Sequence, residues 1–374
     1  MATEVLPDER VLRFARRERA LEAMAEHDLD VLVLGRPANV RYVAGVPLLW
    51  NAGARPFGPG CVLLRSGEIH LLTTWDEGVP EEIPHENLYG ITWNPMNLVS
   101  VLEKIGAACR PRRVGTDALS PLFAKLLPMA FPSAELVDGE PALRQARLRK
   151  TDDEVAAIRV AIGVAEAGLA AAVAALKPGA SRRDLTGLFM EAIAVRGVTT
   201  PATQDVVRTT TRRSRTDGDR IEAGDLVAFD AGVVAGGYNG EVARTYVAGD
   251  ANGDGVRVAG LYKRWDELWV RLIDACQPGA RGGALLAAYE TAGEELPAEP
   301  VARGLGLGLD EPVVLRDLPA TAAAGRLDPG TVVLVTGRVA DGDVGEVIGS
   351  EAVLITSTGP QVLTTSPFWH RRGG

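Results

Sequence analysis

Two short β-rich runs constrain this chain more than any other feature: DLVAFDAG at 225–232 and EVARTYV at 241–247. A turn holding Gly236 and Gly237 separates them, so they read as adjacent strands. Each carries one carboxylate, Asp230 or Glu241, where an apolar residue is expected. The pair therefore marks the place to look for a site.

The rest of the chain is consistent with a soluble α/β protein of two domains. At 374 residues it can bury a large core, and 46% hydrophobic with 24% charged residues is ordinary for a globular protein. A net charge of −9 gives no field that favours nucleic acid or an anionic membrane, so neither is expected as a partner. The N-terminus lacks the apolar core of a signal peptide, and no apolar run is expected to span a bilayer, which predicts a cytoplasmic protein. Cys61, Cys109 and Cys276 lack ligand spacing and read as buried free thiols.

Helix and strand signals alternate through the first half. A helix over 8–27 places Leu12, Phe14, Leu21 and Met24 toward one face, and strands follow at 30–35 and 61–75, the latter a hairpin turning at Ser66-Gly67. A boundary falls near Arg147–Lys150, dividing the chain into 1–148 and 149–374. Thr151 to Glu154 is a capping box that opens an Ala-rich helix ended by Pro178-Gly179, and Ser181 starts a second helix. After the carboxylate-bearing pair come helices at 255–276 and 282–296, then strands at 331–339 and 350–356.

Asp230, Gly232, Gly237, Tyr238, Arg244 and Thr245 fall in register with a D-x-G turn and a G-Y-x-S-D-x-T-R-T strand, with Glu241 in place of the second Asp. The chain thus resembles the creatinase / aminopeptidase P / prolidase family. The resemblance implies an N-terminal creatinase-type α/β domain followed by a C-terminal pita-bread domain, an α/β (α+β) fold. In that family five ligands, two Asp, one His and two Glu, hold two metals. The family's G-H-G-I-G-L-x-x-H motif falls without a gap on Ala302 to Asp310, placing Arg303 at the metal His and Asp310 at the second His. Its two Glu positions fall on Thr336 and Ser350, although a one-residue bulge would bring Glu351 inward instead. The His before the first Asp maps to Arg213. One ligand is kept, one is conservatively replaced and three are lost, so no metal and no other cofactor is expected.

These correspondences predict a metal-independent, creatinase-like enzyme. Asp230, Glu241 and Asp310 are its candidate acid/base groups, and Arg303, Tyr238 and Arg213 its candidate substrate contacts. The substrate is expected to be a small polar molecule bearing a carboxylate, with C–N hydrolysis ahead of lyase or isomerase chemistry. Two alternatives stand beside this reading. One is a non-catalytic pseudo-peptidase that uses the retained cleft or fold for binding, with Arg303 bridging two carboxylates. The other is an Xaa-Pro-type metallopeptidase with rearranged ligands drawn from Asp230, Glu241, Glu346 and Glu351. The basic run from Arg208 to Arg220 reads either as a solvated loop or as a contact for an anionic substrate. The resemblance also implies a homodimer in which the 47–57 loop approaches the neighbour's cleft, with Trp50, Arg55 and Phe57 as further candidate substrate contacts that line the pocket.

Overall fold

A computed structural model describes residues 7–46, 60–72, 78–90, 94–117, 120–211, 219–250, 254–316 and 325–368. The chain divides into two compact units, Pro7–Arg147 and a second that begins at Leu148.

The first unit opens with α1 (Glu9–Glu26), β1 (Val31–Leu34), α2 (Pro37–Ala44), β2 (Cys61–Leu64), β3 (Ile69–Leu72) and β4 (Leu88–Tyr89). It continues with α3 (Pro95–Cys109), β5 (Arg113–Thr116), α4 (Pro121–Ala130), β6 (Glu135–Asp138) and α5 (Glu140–Leu148). The strands form one mixed sheet in the order β4-β3-β2-β1-β5-β6. The expected hairpin turns at Gly67, whose φ of 90° suits a residue without Cβ. Phe14 departs from expectation. It is exposed, with the guanidinium groups of Arg10 and Arg17 within 5.7 and 5.5 Å of its ring, so α1 buries Leu12 and Met24 without it.

The second unit begins with α6 (Asp152–Ala174), α7 (Arg182–Ala194), β7 (Val207–Thr209), β8 (Leu226–Ala235) and β9 (Tyr238–Val247). Then follow α8 (Gly255–Ala275), α9 (Gly283–Ala292), β10 (Ala302–Leu305), β11 (Leu309–Val314), β12 (Val332–Asp341), β13 (Gly345–Thr356) and β14 (Gly359–Val362). The sheet order is β11-β10-β12-β13-β9-β8-β7, with β14 on β13. The capping box forms: Thr151 Oγ1 accepts from Glu154 N at 3.1 Å, and Glu154 Oε2 accepts from Thr151 N at 3.0 Å. Gly236 and Gly237 both have positive φ, which a two-residue hairpin turn between β8 and β9 demands.

Strand alternation gives this sheet two unlike faces. Phe229, Ala231, Val242 and Tyr246 face α6 and α7, while Val333, Val335, Val347 and Val353 join the core around α8 and α9. A Cβ on Gly240 would come within 2.2 Å of the Ala161 carbonyl carbon, so α6 can lie this close to β9 only over a glycine. By length and composition α6 is apolar enough to cross a membrane, contrary to the reading that no run is. Its Ala161, Ala165, Leu169 and Ala172 are instead packed in the core of this unit.

The seam between β9 and β13 has one registered pair, Ser350 with Ala243. Side chains reinforce it. Thr245 Oγ1 donates to Ile348 O at 2.8 Å and accepts from Ile348 N at 2.9 Å. Arg244 Nη1 donates to Ala243 O and Ser350 O, both at 2.9 Å, and Nη2 donates to Glu351 Oε1 at 2.8 Å. The same guanidinium donates to Ser366 O and lies 4.0 Å from the Phe368 ring centroid, which fixes the segment after β14 to this seam.

Candidate functional site

Opposite the helical face, the same alternation sends polar side chains into a cavity of about 220 Å³. Register places Asp230 of β8 beside Ala243 of β9, Ala243 beside Ser350 of β13, and Ser350 beside Thr336 of β12. Arg303 enters from β10, opposite Leu334 of β12. All six line the cavity, with Glu241 two residues before Ala243.

The Arg303 guanidinium donates through Nη2 to Glu241 Oε2, so it lies across the middle of the site. Its Nη1 is buried and meets no hydrogen-bond partner among the described residues. Glu241 is 4% exposed, and burial raises its carboxyl above the ordinary range against the pull of Arg303. Burial likewise raises Asp230, opposed by Arg208 and Arg303. The Asp230 carboxylate takes no hydrogen bond from a described residue. Arg303 therefore pairs with Glu241 and acts on Asp230 only through its field; it does not bridge the two.

Thr336 Oγ1 and Ser350 Oγ share a hydrogen bond of 2.8 Å. β12 and β13 run in unbroken register here, with Val335 opposite Glu351 and Thr336 opposite Ser350. The bulge that would turn Glu351 inward is absent. Glu351 faces Arg244 instead, which corrects its place among the rearranged metal ligands. Glu346 does reach the cavity, but Arg338 holds it at 2.7 Å and Glu299 at 2.8 Å.

Two sequence-predicted residues lie elsewhere. Asp310 is 3% exposed and accepts from Lys150 Nζ at 3.2 Å, a buried ion pair outside the cavity lining. Gly306 permits that placement, because a Cβ there would sit 2.0 Å from Asp310 Oδ2. Asp310 thus pairs with Lys150 and does not line this cavity. Tyr238 is fully buried, and its hydroxyl donates to Glu154 Oε1 at 3.2 Å, which ties β9 to the start of α6. It makes no part of the cavity wall. Arg213, Trp50, Arg55 and Phe57 lie outside the described residues. Sequence reasoning left out Arg338, Glu299 and Thr203, all of which line the cavity. A charge at Arg338, beside the apolar strand residue Val339, was the available signal for one of these three.

A dinuclear centre needs several anionic or imidazole donors converging on one point. This cavity offers Asp230, a Glu241 already paired with Arg303, two neutral hydroxyls, and Glu299 and Glu346, both held by Arg338. Among the described residues, no group of three or more His, Cys, Asp and Glu side chains is placed to hold a metal ion. The donor set does not fit the two-metal centre that the resemblance implies.

The model of metallopeptidase family M24 matches residues 156–357, more than half of the chain. The chain belongs to metallopeptidase family M24. A creatinase/prolidase N-terminal domain matches residues 16–149, ahead of the M24 region. Similar to this M24 chain is an Xaa-Pro dipeptidase of Pyrococcus furiosus, 23% identical over 364 residues, which are 93% of this chain and 97% of the relative. The prolidase of Pyrococcus horikoshii OT3 shares the fold with a TM-score of 0.75 at 21% identity, covering 94% of this chain and 99% of that one. Dipeptidase PepE of Mycobacterium ulcerans does so with a TM-score of 0.75 at 21% identity, over 97% and 98%. The two-domain creatinase and pita-bread architecture is therefore the fold of this M24 chain.

Proposed function

We propose that this M24 cleft is a metal-independent site for a small polar molecule bearing a carboxylate, and that it hydrolyses a C–N bond. One observation carries the reading: Arg303 spans the cavity with Nη2 on Glu241 and a buried Nη1 that no described residue uses. A buried guanidinium N–H left without an acceptor is costly, and a ligand carboxylate supplies one.

Asp230 is the group positioned for proton transfer. Its burial keeps the carboxyl above the ordinary range, nearer the pH at which a base works well. Asp230 takes a proton from water as the hydroxide oxygen bonds to the substrate carbon. The C–N bond then breaks, and the departing nitrogen receives that proton, so one water is consumed. Glu241 holds Arg303 in place, and the Thr336–Ser350 hydroxyl pair gives a neutral polar wall.

Family membership favours a second reading, a metal-dependent Xaa-Pro peptidase, because relatives bear that name. With Glu351 turned toward Arg244, its rearranged ligands reduce to Asp230, Glu241 and Glu346. One experiment separates the two. Purified protein is offered N-acyl amino acids, guanidino acids and Xaa-Pro dipeptides, each with EDTA and with added Mn²⁺, Co²⁺ or Zn²⁺. Release of amine that is unchanged by EDTA supports the first reading. Hydrolysis of Xaa-Pro dipeptides only with added metal replaces it with the second.

A further inference from the structure

Arg208 sits on β7, opposite Ala228 of β8, two residues before Asp230 on the same strand. Residues two apart on a strand share a face, so Arg208 and Asp230 project to the same side of the sheet from adjacent strands. Arg208 lines the cavity, yet it makes no hydrogen bond or close ion pair among the described residues. The other cavity arginines are committed: Arg303 to Glu241, Arg338 to Glu299 and Glu346. Arg208 and Arg303 approach Asp230 from the two ends of the row, and both act on it electrostatically.

We infer that Arg208 is a specificity-determining residue of this cleft: it and Arg303 Nη1 grip the two oxygens of one ligand carboxylate, with Asp230 between them. A planar carboxylate has two oxygens, each able to accept from a different guanidinium, whereas an amide offers one oxygen and presents donors to the other arginine. The clamp therefore selects acids against the matching amides. The two arginines differ in solvation. Arg208 is exposed and its attraction is screened by salt, while the buried Arg303 Nη1 is screened much less.

This inference rests on the carboxylate-binding reading above, and the test separates them. The probes are N-acetylglycine and its amide, titrated by calorimetry into wild type, Arg208→Gln, Arg208→Lys and Arg303→Gln, at low and at high salt. Wild type is expected to prefer the acid by about tenfold or more, the scale of a hydrogen bond to a charged group. Arg208→Gln is expected to lose most of that preference together with its salt dependence, and Arg208→Lys to keep part of both. Arg208 is at an exposed edge position, so its variants are expected to fold, which circular dichroism checks. An Arg208→Gln protein that keeps the full preference while Arg303→Gln loses it overturns the role of Arg208 and leaves the cleft reading intact. A wild type with no preference for the acid overturns both.

Discussion

Thr336 Oγ1 and Ser350 Oγ stand 2.8 Å apart on facing rungs of β12 and β13, each satisfying the other at the cavity wall. Two carboxylates at these rungs would repel each other and call for a cation. Two hydroxyls do not. Arg303 supplies positive charge to the cavity row, pairing with Glu241 and acting on Asp230 through its field.

From this follows the expectation for metal. Protein purified and dialysed without chelator is expected to carry substoichiometric Mn, Co, Fe and Zn by elemental mass spectrometry. Its melting temperature is expected to be the same in EDTA and in excess Mn²⁺. Two tightly held ions per chain would overturn the assignment of the donor set.

Removing Arg303 leaves Glu241 buried with no opposite charge. Breaking a buried pair in this way commonly costs about 3–5 kcal/mol; because the Arg303 side chain is 22% exposed, the lower end, about 3 kcal/mol, is expected for Arg303→Ala at neutral pH. Urea unfolding measures it. The double variant Arg303→Ala, Glu241→Gln is expected to recover much of the loss, since no unpaired charge remains.

Asp230 gives a pH signature. Burial raises its native carboxyl above the unfolded value, so the native chain binds that proton more tightly than the unfolded chain does. The stability this contributes is present at low pH and is lost as pH rises through the native value. Asp230→Asn, which never ionises, is therefore expected to melt above wild type near pH 8, with the gap closing toward about pH 4. A gap that widens on acidification would show the opposite sign.

Tyr238→Phe tests the placement of Tyr238 outside the cavity. Loss of the hydroxyl leaves Glu154 Oε1 without its 3.2 Å donor, and a hydrogen bond to a charged group is worth about 1.5–3 kcal/mol. Stability is expected to fall by roughly that amount while binding of N-acetylglycine is unchanged. Weakened binding in a fully folded variant would return Tyr238 to the site.

Arg244 stitches the seam beneath the cavity. Arg244→Met is expected to break the buried ion pair with Glu351, at a cost of about 3–5 kcal/mol. Hydrogen exchange is expected to quicken in 345–356 and 363–368, where its acceptors lie, more than in α6. Uniform acceleration across the second unit would mean the seam has no special dependence on Arg244.

Local chemistry in the sequence determined a good deal here. Gly236-Gly237 set the hairpin, Thr151 and Glu154 set the start of α6, and ungapped motif spacing picked out Arg303, Thr336 and Ser350, which all line the cavity. These are short-range facts, fixed by φ preferences, capping hydrogen bonds and the two-residue strand period. Tertiary structure alone decided which charge meets which. Whether Ser350 or Glu351 faces the cavity depends on the absence of a bulge along ten paired rungs between β12 and β13. Asp310 reaches Lys150, 160 positions away, past a glycine and a register shift between Arg303 and Gly304. Arg208 joins the cavity through the pairing of β7 with β8. A sequence states the period of a strand but not its parity against distant neighbours, and one residue of slip exchanges the two faces of a sheet.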